Sequence, residues 1–280
     1  MFNYKSIVEG KGGISAKVVA MSVHNYGPIL TTLELRYPRF IHAEFMTHRM
    51  FSRNASSSRA IPTKKMIEQV ESNPAMPISW GKNRPGMQAT EELSAEGIDH
   101  ASHSWERAAR EAAARAYDLQ TLGVHKQIVN RILEPFQFIT VVVTATEWDN
   151  FFNLRLHEDA QPEIYELARV MKEAMDNAEP EVLASEGDWH LPYVDMESFW
   201  GRQHDAPLCS VARLARVSYL NHDSTEPNVD VDVALHNRLL KAGHMSPFEH
   251  VARPVDAEVS NRFYRNYRGW ISYRMFVEDN

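Results

Sequence analysis

Apolar and polar positions divide the chain into short, well-marked elements. Residues 14–24, Ile-Ser-Ala-Lys-Val-Val-Ala-Met-Ser-Val-His, are rich in β-branched side chains and partly alternate, which predicts a strand. Gly27-Pro28 marks a turn, and Leu30 to Tyr37 alternates again as a second strand, ended by Pro38. The apolar run Phe40-Ile41-His42-Ala43-Glu44-Phe45-Met46 predicts a helix to about Thr47. Residues 72–99 hold three Pro and three Gly with little periodicity, so they read as a long loop. Trp105 to Leu122 is dense in Ala, Arg and Glu, with Ser104 as its cap and Gly123 as its stop. A short helix spans His125 to Leu133 and is closed by Pro135.

Phe138 to Val143 is the most β-prone run and predicts a buried strand. Thr146 and Asp149 mark a helix start, which puts Asn150 and Arg155 on a helix emerging from that strand. Pro162 opens another helix, with Ile164, Leu167, Ala168, Met171 and Met175 at helical spacing. Residues 179–207 show no clear period. Two more helices are predicted at about 208–220 and 230–242, the second stopped by Gly243. Val251 to Val259 reads as a strand that Pro254 confines to an edge. Strands and helices mix without regular alternation, which favours an α+β fold, here one domain spanning 1–280.

The chain has 280 residues, 44% hydrophobic and 24% charged, as expected of a soluble globular protein with a sizeable core. A formal net charge of -7 argues against a general nucleic-acid binder, though it permits a local basic pocket. The single Cys209 excludes an internal disulfide and suits a reducing cytoplasm. No apolar run approaches the roughly 20 residues needed to cross a bilayer. Met1 to Lys5 lacks the regions of a signal peptide.

The candidate chemistry concentrates in one stretch. Residues Thr47 to Pro62 hold three Arg, one His, four Ser and an Asn. Hydroxyls and guanidinium groups around a turn suit a bound phosphate, and a polar surface loop is the competing reading. Arg155 near a helix end is by default a solvent-facing cation that favours the helix dipole. Cys209, at an apparent helix start with His204 five residues before it, is either a small core residue or a nucleophile. His236, His244 and His250 fit no zinc spacing, so no metal is expected. Residues 262–274 interleave four Arg with five aromatics. They read either as an amphipathic helix docking its rings or as a stacking surface for single strands or a pterin or flavin ring.

His48-Arg49, seven residues, then Ser57 and Arg59 resembles the signature of the flavin-dependent thymidylate synthases (ThyX). Two further stretches agree. Asn150-Phe-Phe-Asn153-Leu154-Arg155, with Ala160-Gln161-Pro162-Glu163 after it, is similar to the family's Asn-Leu-Arg helix. Ala215-Arg216-Val217-Ser218-Tyr219, followed by Gly243-His244-Met-Ser246-Pro247-Phe248-Glu249-His250, resembles a block the family carries near its N-terminus. Here that block follows the His-Arg motif, so the resemblance implies a circularly permuted ThyX-like mixed sheet with packed helices.

The resemblance further implies reductive methylation of dUMP to dTMP, with FAD reduced by NADPH and methylene-tetrahydrofolate as the one-carbon donor. It implies a homotetramer with shared active sites. Glu44, Ser57, Ser58, Arg59 and Arg131 would hold the nucleotide. His48, Arg49, Asn150, His244 and Ser246 would hold FAD. Arg155 would stabilise negative charge on the pyrimidine and so activate C5. Departures from the pattern are Thr47 in place of Arg, Ala55 in place of an acid, Thr144 and Thr146 in place of flavin-side Asn and Arg, and Asp159 in place of His. They leave two alternatives open. One is methylation or hydroxymethylation of another pyrimidine nucleotide, and the other is a non-catalytic nucleotide- or single-strand-binding protein.

Overall fold

The computed structural model describes residues 7–24, 27–89, 91–185, 187–219 and 228–278. The N-terminal stretch Met1 to Lys5 and the predicted helix end at Leu220 lie outside the described residues. The frame is a sheet in the order β1 (Val8–Glu9), β2 (Ser15–His24), β3 (Leu30–Pro38), β5 (Phe138–Ala145), β4 (Ser52–Ala55), with β6 (Glu181–Leu183) pairing β2. All pairs are antiparallel except β2 with β6. The α+β expectation therefore holds, and β2, β3 and β5 fall where alternation and β-branching place them.

Side chains on β5 alternate between two cores, as the period of a strand requires. Val141 and Val143 pack with Ile164, Leu167 and Met171 of α6 (Pro162–Asp176). Val142, between them, packs on the other face with Val211, Leu214 and Ala215 of α7 (Ala206–Tyr219) and Leu239 of α8 (Val229–Lys241). All three valines are fully buried, and each such burial stabilises by about 1.5–3 kcal/mol. A separate helical cluster joins α2 (Thr63–Ser72), α3 (Ala95–Thr121) and α4 (Lys126–Ile132) through Val70, Ala109, Ala113, Ala116 and Val129. No helix among the described residues is long and apolar enough to cross a membrane.

Four expectations are corrected. The helix to Thr47 is only a 3-10 turn, Arg39–Ile41, and one α turn, α1 (His42–Phe45). The polar stretch beyond it contains β4, because buried Ser52 and Asn54 alternate with half-buried Arg53 and Ala55 along the edge of β5. The long helix begins at Ala95 rather than Trp105, since Ser94 and not Ser104 caps it, accepting from the Gly97 amide at 3.2 Å. The loop at 72–99 is shorter by those residues.

The fourth correction concerns the C-terminus. The strand predicted over 251–259 is only β7 (Ala252–Pro254). Residues 262–272 form no helix but short strands β8 (Phe263–Tyr264), β9 (Tyr267–Arg268) and β10 (Trp270–Ser272), leading into α9 (Tyr273–Glu278). β10 pairs β7, and β8 pairs β9. Gly269 permits this turn: its φ is 74°, and a Cβ there would meet the Ser260 carbonyl oxygen at 2.5 Å. Tyr267 and Trp270 are buried against Leu30, Leu183 and Ala252, so these two rings cannot stack on a nucleobase. Arg268 pairs Glu147, and Arg274 pairs Glu249 and Glu278.

Candidate active site

Three predicted residues from two distant stretches meet directly. Arg155 is the last residue of α5 (Asp149–Arg155), the helix that leaves β5 after a short turn. Its Nη1 pairs with the Glu44 carboxylate on α1, and its Nε donates to Nε2 of His48 at 3.0 Å. His48 sits edge-on to Phe151 of α5 at 4.8 Å, so an aromatic contact reinforces the same junction. Burial first, then the Arg155 and Arg53 guanidiniums, lower the His48 pKa to about 4. A neutral ring with a bare Nε2 is the form that accepts from Arg155. Nε and Nη1 are engaged, while Nη2 of Arg155 has no protein acceptor among the described residues. A guanidinium fixed on one side with donors left over can meet negative charge without reorganising.

Arg53 holds the turn that carries His48. Its Nη1 donates to the carbonyls of Met46 at 2.7 Å and His48 at 3.1 Å. The 246–250 segment docks on the same strand: the Ser246 hydroxyl donates to the Arg53 carbonyl at 3.0 Å and lies 3.3 Å from Asn54 Oδ1. The Asn54 amide in turn donates to the Leu214 carbonyl of α7 at 2.9 Å. The block resembling the family's N-terminus thus abuts the strand that follows the His-Arg motif.

A second group forms around Glu134. Ser58 and Arg131 both donate to its carboxylate, and Arg39 pairs with it. His42 lies between the two groups electrostatically. Burial, Arg39 and Arg53 lower its pKa to about 4, and Glu134 opposes them. Ser57 is half-buried. Arg49, Arg59 and Asn150 are exposed, and no contact joins them to the other candidates among the described residues. His244 is exposed just past Gly243, whose φ of 71° ends α8.

Sequence reasoning missed Arg39, His42, Arg53, Asn54 and Glu134. Arg53 and Asn54 stood inside the singled-out stretch, but their roles run through backbone carbonyls, which leave no side-chain pattern. Thr144 and Thr146 also acquire a use. The Thr144 hydroxyl lies 2.7 Å from Thr32 Oγ1 and 2.7 Å from His250 Nδ1. Thr146 accepts from the Arg268 amide at 3.0 Å. Cys209 is fully buried among Phe199 and Ala206, and burial pushes its thiol up to about 11, so the core reading holds. His204 is exposed and paired with Asp205.

A cavity of 510 Å³ opens between Phe40, Trp105 and the Glu158–Glu163 segment just beyond Arg155. Another, of 740 Å³, lies among Leu183, Trp189, Pro207 and Tyr273, and no predicted site residue lines it.

Two solved structures of the UMP/dUMP methylase PolB from Streptomyces cacaoi, bound with 5-Br UMP and 5-Br dUMP, are similar to the chain. They share 18% and 17% identity and cover 60% of this chain and 91% and 92% of theirs, with TM-scores of 0.49 and 0.48. No curated protein matches the chain. The profile of the family described as "Thymidylate synthase complementing protein" matches residues 29–181, over half the chain, and takes in Glu44, the His48 motif, Arg131 and the Arg155 helix. The chain therefore belongs to the thymidylate synthase complementing protein family, and with it to the thymidylate-synthase-like methyltransferases that act on C5 of a pyrimidine nucleotide.

Proposed function

We propose that the protein converts dUMP to dTMP by reductive methylation, with FAD, NADPH and methylene-tetrahydrofolate. The observation that carries this reading is the Glu44–Arg155–His48 junction, which joins the two stretches the family profile spans. Nucleophilic attack by a thiolate is not available from buried Cys209, so C5 must gain its electron density from electrostatics at the ring. Arg155, through its unengaged Nη2, stabilises charge developing on the pyrimidine, while Glu44 and His48 hold its fork in place. Neutral His48 orients the guanidinium without competing for the same charge.

The donor set fits a dinucleotide cofactor in part. Arg49 is exposed with no carboxylate partner among the described residues, which suits a diphosphate, and Asn150 and His244 are exposed as well. Bound FAD would carry the reducing equivalents from NADPH. Ser246 directs its one hydroxyl proton at the Arg53 carbonyl or Asn54, so it retains acceptor capacity only and chiefly seats the 243–250 block. Ser57, Ser58, Arg59 and Arg131 hold the nucleotide phosphate. Leu30 of β3 and Ala252, just past His250, belong to one core cluster, which supports reading the order of segments as that of a permuted family member. Exposed Tyr117, Leu122 and Ile128 on and beside α3 and α4 support contact between subunits in a homotetramer.

The test is direct. The purified protein is expected to be yellow and to form dTMP from dUMP only when methylene-tetrahydrofolate and NADPH are both present, and light scattering should read a tetramer. A colourless protein that turns over no dUMP, UMP or dCMP would overturn the reading. In the same assay Cys209→Ser is expected to keep most of the activity, because the serine hydroxyl can inherit the contact to the Val229 carbonyl. A loss of several orders of magnitude with an unchanged fold would restore the thiolate mechanism.

A further inference from the structure

Three donors converge on one carboxylate oxygen. Oε1 of Glu134 accepts from the Ser58 hydroxyl at 2.9 Å and from Arg131 Nη1 at 2.7 Å, and it lies 3.0 Å from Arg39 Nη2. The donors come from the turn after β3, the loop after β4, and α4, so only the tertiary fold collects them. Ser58 is held from its other side as well: the Asn130 amide donates to the carbonyls of Ser58 at 2.6 Å and Ile61 at 3.0 Å. Glu134 opens the 3-10 turn Glu134–Phe136, whose Phe136 is buried, so the backbone is anchored while the side chain can rotate. Two guanidiniums face one carboxylate, which leaves the group with a net positive charge. Its solvent side is open, with the Arg131 side chain 52% exposed. A hydroxyl and two guanidinium groups meeting at one oxygen is the donor set a phosphate oxygen asks for.

We propose that Glu134 is an internal stand-in for the nucleotide's phosphate. Its carboxylate keeps Arg39, Arg131 and Ser58 converged in the free protein, and the phosphate displaces it on binding. This rests on the reading that Ser58 and Arg131 bind the nucleotide. The point where the three donors converge has room for one oxygen, so a phosphate oxygen seated there and the docked Oε1 of Glu134 exclude each other. Glu134 thereby sets a selectivity: a phosphomonoester carries the charge needed to displace it, and a nucleoside does not.

The experiment compares wild type with Glu134→Gln, which keeps the shape and removes the charge, by calorimetric titration with dUMP, inorganic phosphate and deoxyuridine. Losing an internal charge-assisted competitor should tighten dUMP and phosphate by about tenfold or more and leave deoxyuridine unchanged. Glu134→Asp, which keeps the charge but shortens its reach, should gain less, and it serves if the first variant does not fold. Equal or weaker dUMP binding in Glu134→Gln, with wild type binding normally, overturns the stand-in and leaves the nucleotide reading intact. A gain for phosphate alone supports displacement and removes the nucleotide from this group. No binding of any anion by either protein removes both.

Discussion

Replacing Arg155 with alanine should lower kcat for thymidylate formation by about 100- to 1,000-fold, the cost of removing one preorganised charge-stabilising donor. The fold should survive, because the Arg155 side chain and Glu44 remain partly open to water and such pairs contribute little to stability. Arg155→Lys should recover only a small part of the loss. A single ammonium cannot make the Nε contact to His48 and the Nη1 contact to Glu44 while keeping a third donor for the substrate. The measurement is single-turnover dTMP formation, with dUMP affinity and thermal unfolding recorded on the same preparations. If Arg155→Ala keeps kcat within about threefold of wild type, far less than one such donor is worth, Arg155 only joins two helices.

The second large effect is on stability, at a chain of buried polar groups that crosses the sheet. Ser22 Oγ lies 2.8 Å from His190 Nδ1, and His190 Nε2 lies 2.7 Å from Thr32 Oγ1. The chain continues through Thr144 to His250. His190 and His250 are fully buried, and burial lowers both to about 3. The native state refuses protons that the unfolded chain takes up near pH 6.5. Stability should therefore fall as pH drops below 6.5, approaching about 1.4 kcal/mol per pH unit for each histidine, and level off below about 3. His42 and His48, both near 4, add to the same slope. Thr144→Val, nearly the same shape, removes the hydroxyl shared by Thr32 and His250 and should cost about 1–3 kcal/mol. Urea unfolding from pH 7 to pH 5, above the range of most carboxylates, reads the slope. A flat profile there would mean the pair is solvated, and an unchanged midpoint for Thr144→Val would mean the chain of contacts does not hold the sheet to its C-terminal cover.

Much of the frame was legible in the residues. β-branched alternation placed β2, β3 and β5, because a strand's two faces impose period two wherever one or both are buried. Pro162 marked the start of α6 and Gly243 the stop of α8, since their backbone limits act locally. The family's residues were legible too, in the His48 motif and the Asn-Leu-Arg helix. What failed were elements whose cause lies elsewhere in the chain. β4 exists because β5 offers a free edge, and no pattern in Ser52–Ala55 announces that partner. The interleaved arginines and aromatics at 262–274 suggested a helix face, yet Tyr267 and Trp270 are drawn inward by Leu30, Leu183 and Ala252 from three other segments. The family resemblance could name Arg155, Glu44 and His48 as candidates. Only the fold brings a guanidinium at residue 155 to a carboxylate at 44, or gathers Arg39, Ser58 and Arg131 on one oxygen of Glu134, because hydrogen bonds are decided by distance in space and not along the chain.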